Sequence, residues 1–172
     1  GVADEELPPE DTIVCRVAAA SDVGLVRDHN EDNFLVAGLG DDTYRGGLPR
    51  AESTLTVSDH GLLLGVCDGM GGAAAGEVAS QTAVERIFSA MRRKQPPPDR
   101  DAFAWRLVRA LEAAGTKIFE RAADDRRRKG MGTTATLAGC IDKVVFVGQV
   151  GDSRAYVLRE GRLELVTKDQ SL

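Results

Sequence analysis

With 172 residues the chain can bury one core, on the order of 70% of the surface its unfolded form exposes, so one domain or most of one is expected. Twenty-seven acids against 22 bases leave a net charge of -5, which argues against a general nucleic-acid binder, since such proteins need a basic surface to displace phosphate counterions. No stretch approaches the roughly 20 apolar residues that a membrane-spanning helix needs.

Residues 1–11, GVADEELPPED, hold five acids and two prolines and no basic or apolar run, so they are expected to form a mobile arm rather than a signal peptide. Thr12 to Ala20 is apolar and β-prone, a strand whose return partner is expected at Asn33 to Ala37. The segment between them, SDVGLVRDHNED, is too polar for a core. Gly38 to Ser53, with four glycines and a proline, predicts a long exposed loop. It is expected either to border a functional site or to be a tolerated surface insertion.

Strands follow at Leu55 to Val57 and Leu62 to Cys67, joined by a turn at 58–61. Gly72 to Arg93 predicts a helix with Val78, Thr82, Ala83, Ile87, Phe88 and Met91 along its apolar side. Prolines in QPPPDR end it, because proline cannot donate to the helical ladder. A second helix is expected from about Asp101 to Arg126, since Phe103, Leu107, Leu111, Ala114 and Ile118 recur at helical spacing. Its end, RRRKG, sets cations against the negative end of the helix dipole. The last third, TTATLAGCI, KVVFVGQVG, RAYVLRE and RLELVT, predicts strands with tight turns at 142–143 and 160–161. Strands, two helices and strands again is an α+β order.

Cysteines at 15, 67 and 140 are odd in number and lack C-x-x-C spacing, so they predict neither a disulfide framework nor a zinc site. Small buried hydrophobes in a reducing, cytoplasmic compartment are expected instead.

GVCDGMGG at 65–72 places an acid, Asp68, where an apolar strand gives way to a helix. A dinucleotide fingerprint fails on context, because a second helix rather than a parallel strand follows the first. An ordinary aspartate-glycine turn is one reading. The other is a hard-metal site, with Asp68 giving carboxylate oxygens and Gly69 a backbone carbonyl. Glu31 and Asp32 open one strand and Asp152 closes another, so carboxylates recur at strand ends. If these converge, desolvation and repulsion cost several kcal/mol each, a penalty that divalent cations remove. Oxygen donors without thiolate favour Mg²⁺ or Mn²⁺ over Zn²⁺. Arg27 either neutralises these acids or forks onto a substrate phosphate.

SDVGLVRDHNED, GVCDGMGG, GMGTTAT, VGQVGDSRAY and LVTKDQSL follow one another in the order and approximate spacing of one family. Over residues 12–172 the chain resembles the metal-dependent serine/threonine protein phosphatases of type 2C (PPM), bacterial type. The resemblance implies an α+β fold: a β-sandwich of two antiparallel sheets flanked by antiparallel helix pairs, four layers in all and incomplete at the C-terminus. Residues 12–172 would be the N-terminal two-thirds of that catalytic domain.

Carried over by position, the resemblance makes Asp68 the carboxylate bridging two Mn²⁺ or Mg²⁺ ions and Gly69 a carbonyl ligand. Glu31 and Asp32 match acids that hold metal-bound waters, and Arg27 the phosphate-binding arginine. Asp152 matches an acid at a third, weaker metal. Ser153 and Arg154 shape their turn, and the Thr133 and Thr134 hydroxyls are satisfied locally. The implied chemistry is in-line attack on phosphorus by a water bridging both ions. Phosphorylated proteins are the implied substrates, a Ser/Thr kinase the implied partner, and a monomer the expected state. A non-catalytic module binding a phosphoprotein or signalling partner is the alternative.

Two departures stand out. Met70 occupies a position where many eukaryotic members carry His; of the two histidines, His29 lies inside the motif as a bystander and His60 is expected to be plain surface in a turn. Two further metal-binding aspartates of the family fall beyond Leu172, so the sequence is expected to omit a C-terminal portion, the alternative being an inactive fragment.

Overall fold

The structure, a computed structural model, describes residues 11–41 and 43–170. The arm expected over residues 1–11 lies outside them except for Asp11, whose carboxylate accepts a hydrogen bond from Lys143 Nζ at 3.0 Å.

Among the described residues, ten strands and two α-helices follow in the order β1 (Val14–Ala20), β2 (Asp32–Gly38), β3 (Tyr44–Gly46), β4 (Arg50–Thr56), β5 (Leu62–Met70), α1 (Ala73–Met91), α2 (Arg100–Asp124), β6 (Gly132–Thr133), β7 (Ala135–Ile141), β8 (Val144–Val150), β9 (Tyr156–Arg159) and β10 (Arg162–Leu165). The main sheet runs β3-β2-β5-β7-β8, with β6 paired to the end of β5. Every pairing in it is antiparallel. Strand β1 pairs with β4, and β9 with β10, as separate two-stranded units.

Side chains alternate between the two faces of a strand, and the main sheet uses both. Leu35, Ala37, Leu63, Cys67, Leu137 and Ile141 meet the helices, where Ala79, Val84, Ile87, Phe103, Leu107 and Ala114 close the larger core. Phe34, Val36, Leu62, Leu64 and Cys140 face the opposite way and pack with Cys15, Val17, Ala19, Ala51 and Leu55 of the β1–β4 pair. Each fully buried Val, Leu, Ile or Phe among them contributes about 1.5–3 kcal/mol. The three cysteines are free. Cys67 is the most deeply buried, and that burial pushes its thiol up to about 12.

The expected partner of β1 is corrected. Strand β2 pairs with β3 and β5, while β1 pairs with β4 along its whole length, Val14 opposite Thr56 through Ala20 opposite Arg50. Burial separates the two strands: β1 alternates half-buried and exposed positions along its length, whereas β2 from Phe34 onward is buried on both faces and belongs in the middle of a sheet.

The loop expected over 38–53 is also corrected, since β3 and most of β4 lie in it. Helix α1 ends as expected, but α2 stops at Asp124 and Arg126–Arg128 form a separate 3-10 turn. The basic run therefore does not close the helix dipole from within the last turn. Of the expected four layers, the described residues supply three: one helix pair, the main sheet and the β1–β4 pair.

Candidate active site

Strands β2 and β5 are neighbours in the centre of the sheet, and their register sets Asp32 directly opposite Asp68. Directly opposed residues of an antiparallel pair have Cβ atoms about 4.5–5.5 Å apart, where like charges repel. By alternation Asp32 shares a face with Phe34 and Val36, and Asp68 shares it with Leu62 and Leu64. Both carboxylates thus leave the sheet on its sandwich side, just past the end of the apolar packing. Burial, with Asp68 and Glu31 beside it, pushes the Asp32 carboxyl above the ordinary carboxylate range. Among the described residues, no ion pair neutralises Glu31, Asp32 or Asp68.

The 21–31 segment is drawn across this strand end by Asn30. Its Nδ2 donates to Ser21 Oγ at 2.8 Å, and its Oδ1 accepts the Asp32 backbone N–H at 3.0 Å. The segment carries Arg27 into the same cleft as Glu31, Asp32, Asp68 and Gly69, an open space of about 640 Å³. His29 and Met70 line it as well, Met70 with its side chain laid against Gly132 of β6.

Gly69 is at the tightest point. A Cβ there would strike the Gly76 carbonyl oxygen and lie 2.7 Å from the Glu31 carbonyl oxygen. Its own N–H donates to that Glu31 oxygen at 3.1 Å. Gly76, in the second turn of α1, has the matching constraint: a Cβ would stand 2.7 Å from Glu31 Oε2 and 3.0 Å from the Gly69 carbonyl carbon. Sequence reasoning missed Gly76. A glycine inside a helix is unfavourable by about 1 kcal/mol relative to alanine, and that anomaly in AAAGEVAS was the signal.

The backbone of Asp68 is fixed from the other side. Its N–H donates to Thr134 Oγ1 at 3.0 Å. Its carbonyl accepts from Thr134 N–H at 2.8 Å and from Thr133 Oγ1 at 3.0 Å. The Thr134 hydroxyl also bonds Ser153 Oγ at 2.8 Å, and Thr136 Oγ1 donates to the Ser153 carbonyl at 2.8 Å. A run of hydroxyls thus connects the Asp68 backbone to the turn after β8. Arg154 in that turn forks onto Asp169, with Nε to Oδ1 at 2.9 Å.

Of the residues singled out from sequence, Arg27, Glu31, Asp32, Asp68 and Gly69 come together. Asp152 does not line the cleft; it sits in the hydroxyl-braced turn next to Ser153. Nor is His60 plain surface: its Nδ1 bonds Asp59 Oδ1 at 2.7 Å and its Nε2 faces the Lys94 carbonyl, away from this cleft.

Among the described residues, no three of His, Cys, Asp and Glu gather closely enough to hold an ion unaided. What the chain offers is an opposed pair of carboxylates, a third beside them and a carbonyl-bearing glycine, all oxygen donors, the three carboxylates without an ion-pair partner among the described residues. A hard divalent cation, which completes its shell with water and substrate oxygens, fits that set.

Residues 39–171 match the protein phosphatase 2C family. The chain belongs to that family. Serine/threonine protein phosphatase PstP of Mycobacterium tuberculosis is 35% identical over 160 residues, covering 93% of this chain and 26% of PstP. Serine/threonine phosphatase Stp of Listeria welshimeri is 31% identical over 152 residues, 88% of this chain and 53% of that protein. This protein phosphatase 2C chain therefore spans between a quarter and about half of the relatives it matches. Among solved structures, PstP/Ppp of M. tuberculosis superposes with a TM-score of 0.67 at 33% identity, over 91% of this chain and 55% of that one. The PstP catalytic domain in complex with two manganese ions superposes with a TM-score of 0.67 at 32% identity, over 92% of this chain and 56% of that one.

Proposed function

We propose that this site belongs to a Mn²⁺- or Mg²⁺-dependent phosphatase that acts on phosphoserine and phosphothreonine in proteins. One observation carries the proposal: Asp32 and Asp68 are register partners at the mouth of a cleft that Arg27 also lines. Membership of the protein phosphatase 2C family and the two manganese ions of the PstP structure support it.

Asp68 and the Gly69 carbonyl would hold the divalent ions, with Glu31 and Asp32 holding water in their shells. The bound ions would supply charge for the carboxylates, Lewis acidity toward phosphate oxygens and a water of lowered pKa. Arg27 presents a planar fork to the phosphate and holds it in place for in-line attack. Thr133 and Thr134 keep the Asp68 backbone from moving as charge develops, which is the preorganisation that electrostatic catalysis relies on. Asp152 is assigned to a further, weaker metal position outside the cleft. Substrates are phosphorylated proteins, and a Ser/Thr kinase is the enzyme that would produce them. Among the described residues no helix is long and apolar enough to cross a membrane, and we infer a monomer acting in the cytoplasm.

The test is hydrolysis of an aryl phosphate by the full-length protein with Mn²⁺, with chelator, and after Asp68→Ala. Loss of the rate by at least about a hundredfold in both latter cases is expected, since removing one well-placed electrostatic group costs on that order. Hydrolysis that persists in chelator rejects the proposal.

A further inference from the structure

The cleft is acidic, with Asp22, Asp28, Glu31, Asp32 and Asp68 around Arg27, yet one edge of its surroundings carries the opposite sign. Arg126, Arg127, Arg128 and Lys129 follow one another directly after α2. Among the described residues, only Asp125 forms ion pairs with them. Its carboxylate takes Arg127 at 3.1 Å and Arg128 at 3.5 Å. Arg126 and Lys129 are exposed and have no ion-pair or hydrogen-bonding side-chain partner among the described residues. The turn itself is well defined. Asp125 Oδ1 accepts the Arg127 N–H at 3.0 Å, Arg128 N–H donates to the Asp125 carbonyl at 2.8 Å, and Met131 N–H donates to the Arg128 carbonyl at 3.0 Å.

This turn is tied to the cleft through the residues that follow it. A Cβ on Gly71, a cleft residue, would stand 2.7 Å from Met131 Cα, and Gly132 pairs with Met70. Lys129 is two residues before Met131 and Arg126 five. At no more than about 3.6 Å per residue, their backbones lie within roughly 7 and 18 Å of that contact. An extended peptide advances about 3.3 Å per residue. A peptide whose phosphorylated residue sits in the cleft and which runs toward this turn brings the positions two to five removed from it within reach of these side chains.

We propose that the basic turn 126–129 reads protein substrates by binding an anionic group, either an acidic side chain or a second phosphate, that flanks the phosphorylated residue. This rests on the phosphatase reading and adds to it a preference that the cleft alone would not produce. Ions held by the cleft's acids and Arg27 serve the reacting phosphate, whereas guanidinium forks and an ammonium beyond them attract an anion elsewhere on the peptide. The chemistry recognised is the anion, and acidic residues and phosphate are its two sources.

The experiment uses full-length protein with Mn²⁺ and four substrates: an aryl phosphate, a phosphopeptide with neutral flanks, the same peptide with glutamates two to five positions from the phosphoserine, and one with a second phosphoserine there. Each exposed contact of this kind is weak singly, so the parent is expected to favour the anionic peptides over the neutral one by about tenfold in kcat/KM at low salt. The gain is expected in KM, and to disappear as ionic strength rises. The Arg126→Glu/Lys129→Glu variant should lose that ratio. A gain confined to the doubly phosphorylated peptide assigns phosphate as the ligand, and a gain with both assigns any anion. Equal parent rates on neutral and anionic peptides overturn the proposal, as does a variant whose losses are the same for all peptides. The salt dependence of the parent decides the matter even if the variant folds poorly. If the parent fails to hydrolyse the aryl phosphate, the phosphatase reading itself falls; aryl hydrolysis without peptide preference sinks only the basic turn.

Discussion

A single methyl group at position 76 would test how closely α1 must approach the strand end that carries Asp68. Gly76→Ala adds a Cβ 2.7 Å from Glu31 Oε2 and 3.0 Å from the Gly69 carbonyl carbon. The carboxylate is the end of a flexible chain and can swing away, but the backbone carbon cannot. Overpacking costs about 1–3 kcal/mol, while alanine is better than glycine in a helix by about 1 kcal/mol, so the two effects largely offset each other in stability. They do not offset at the site, because both ways of relieving the clash displace Glu31 or Gly69. The expected outcome is a melting temperature changed by only a few degrees and an apparent Mn²⁺ affinity weakened about tenfold or more, the order seen when groups around a metal centre are disturbed. Thermal melts and Mn²⁺ titration of aryl phosphate hydrolysis check the two halves. Asp68 and its acidic neighbours were legible in the sequence because carboxylates beside apolar runs are costly and call for an explanation. Gly76 was less so, since its role is to be absent from a space that only the fold creates.

At the scale of elements, α2 shows how much one side chain does at a terminus. QPPPDR ends one helix, and Asp99 begins the next by accepting the Ala102 N–H on Oδ1 at 2.7 Å. Loss of such an N-cap costs about 1 kcal/mol, which for a chain of this length lowers the melting temperature by about 2–4 °C. Asp99→Ala is expected to do so in a thermal melt, and Asp99→Asn, which keeps the cap oxygen, to remain near the parent. Both helices and the β7–β8 hairpin were legible because their periodicity is strong and their ends are punctuated. Strand β3 and the first part of β4, before the strand expected at Leu55, were not. In β4, Ala51 and Leu55 are buried while Arg50, Glu52, Thr54 and Thr56 are exposed. The period of two is there, but only Ala51 and Leu55 mark it, and the glycines and proline just upstream give the segment the composition of a loop. The partner of β1 was misassigned for a related reason. Sequence adjacency favours β2, but the two-sided burial of β2 requires neighbours from β3 and β5, and β1 joins the other layer.

At the scale of the molecule, apolar surface is distributed unevenly. The helix side of the main sheet is closed by a continuous core, whereas β8, β9 and β10 leave Val145, Val147, Leu158 and Leu163 between 40% and 69% exposed. Among the described residues, strand β8 has a partner only in β7, and β9 and β10 pair only with each other, so each unit offers unpaired backbone edges. An exposed apolar edge is a template for another strand, and an apolar patch of this kind draws either a partner or a copy of itself. Leu158 and Leu163 are register partners, which places them side by side on one face at 69% and 65% exposure. The chain of 172 residues, studied by itself, is therefore expected to bind a hydrophobic dye and to associate as its concentration rises. Leu158→Ser/Leu163→Thr should reduce both. These substitutions remove exposed apolar area rather than core packing, so far-ultraviolet circular dichroism should be unchanged. Light scattering against concentration, with dye fluorescence in parallel, makes the comparison. If association is unaffected while the dye signal falls, the backbone edges rather than the leucine pair hold the copies together, and a proline placed in β10 becomes the informative change.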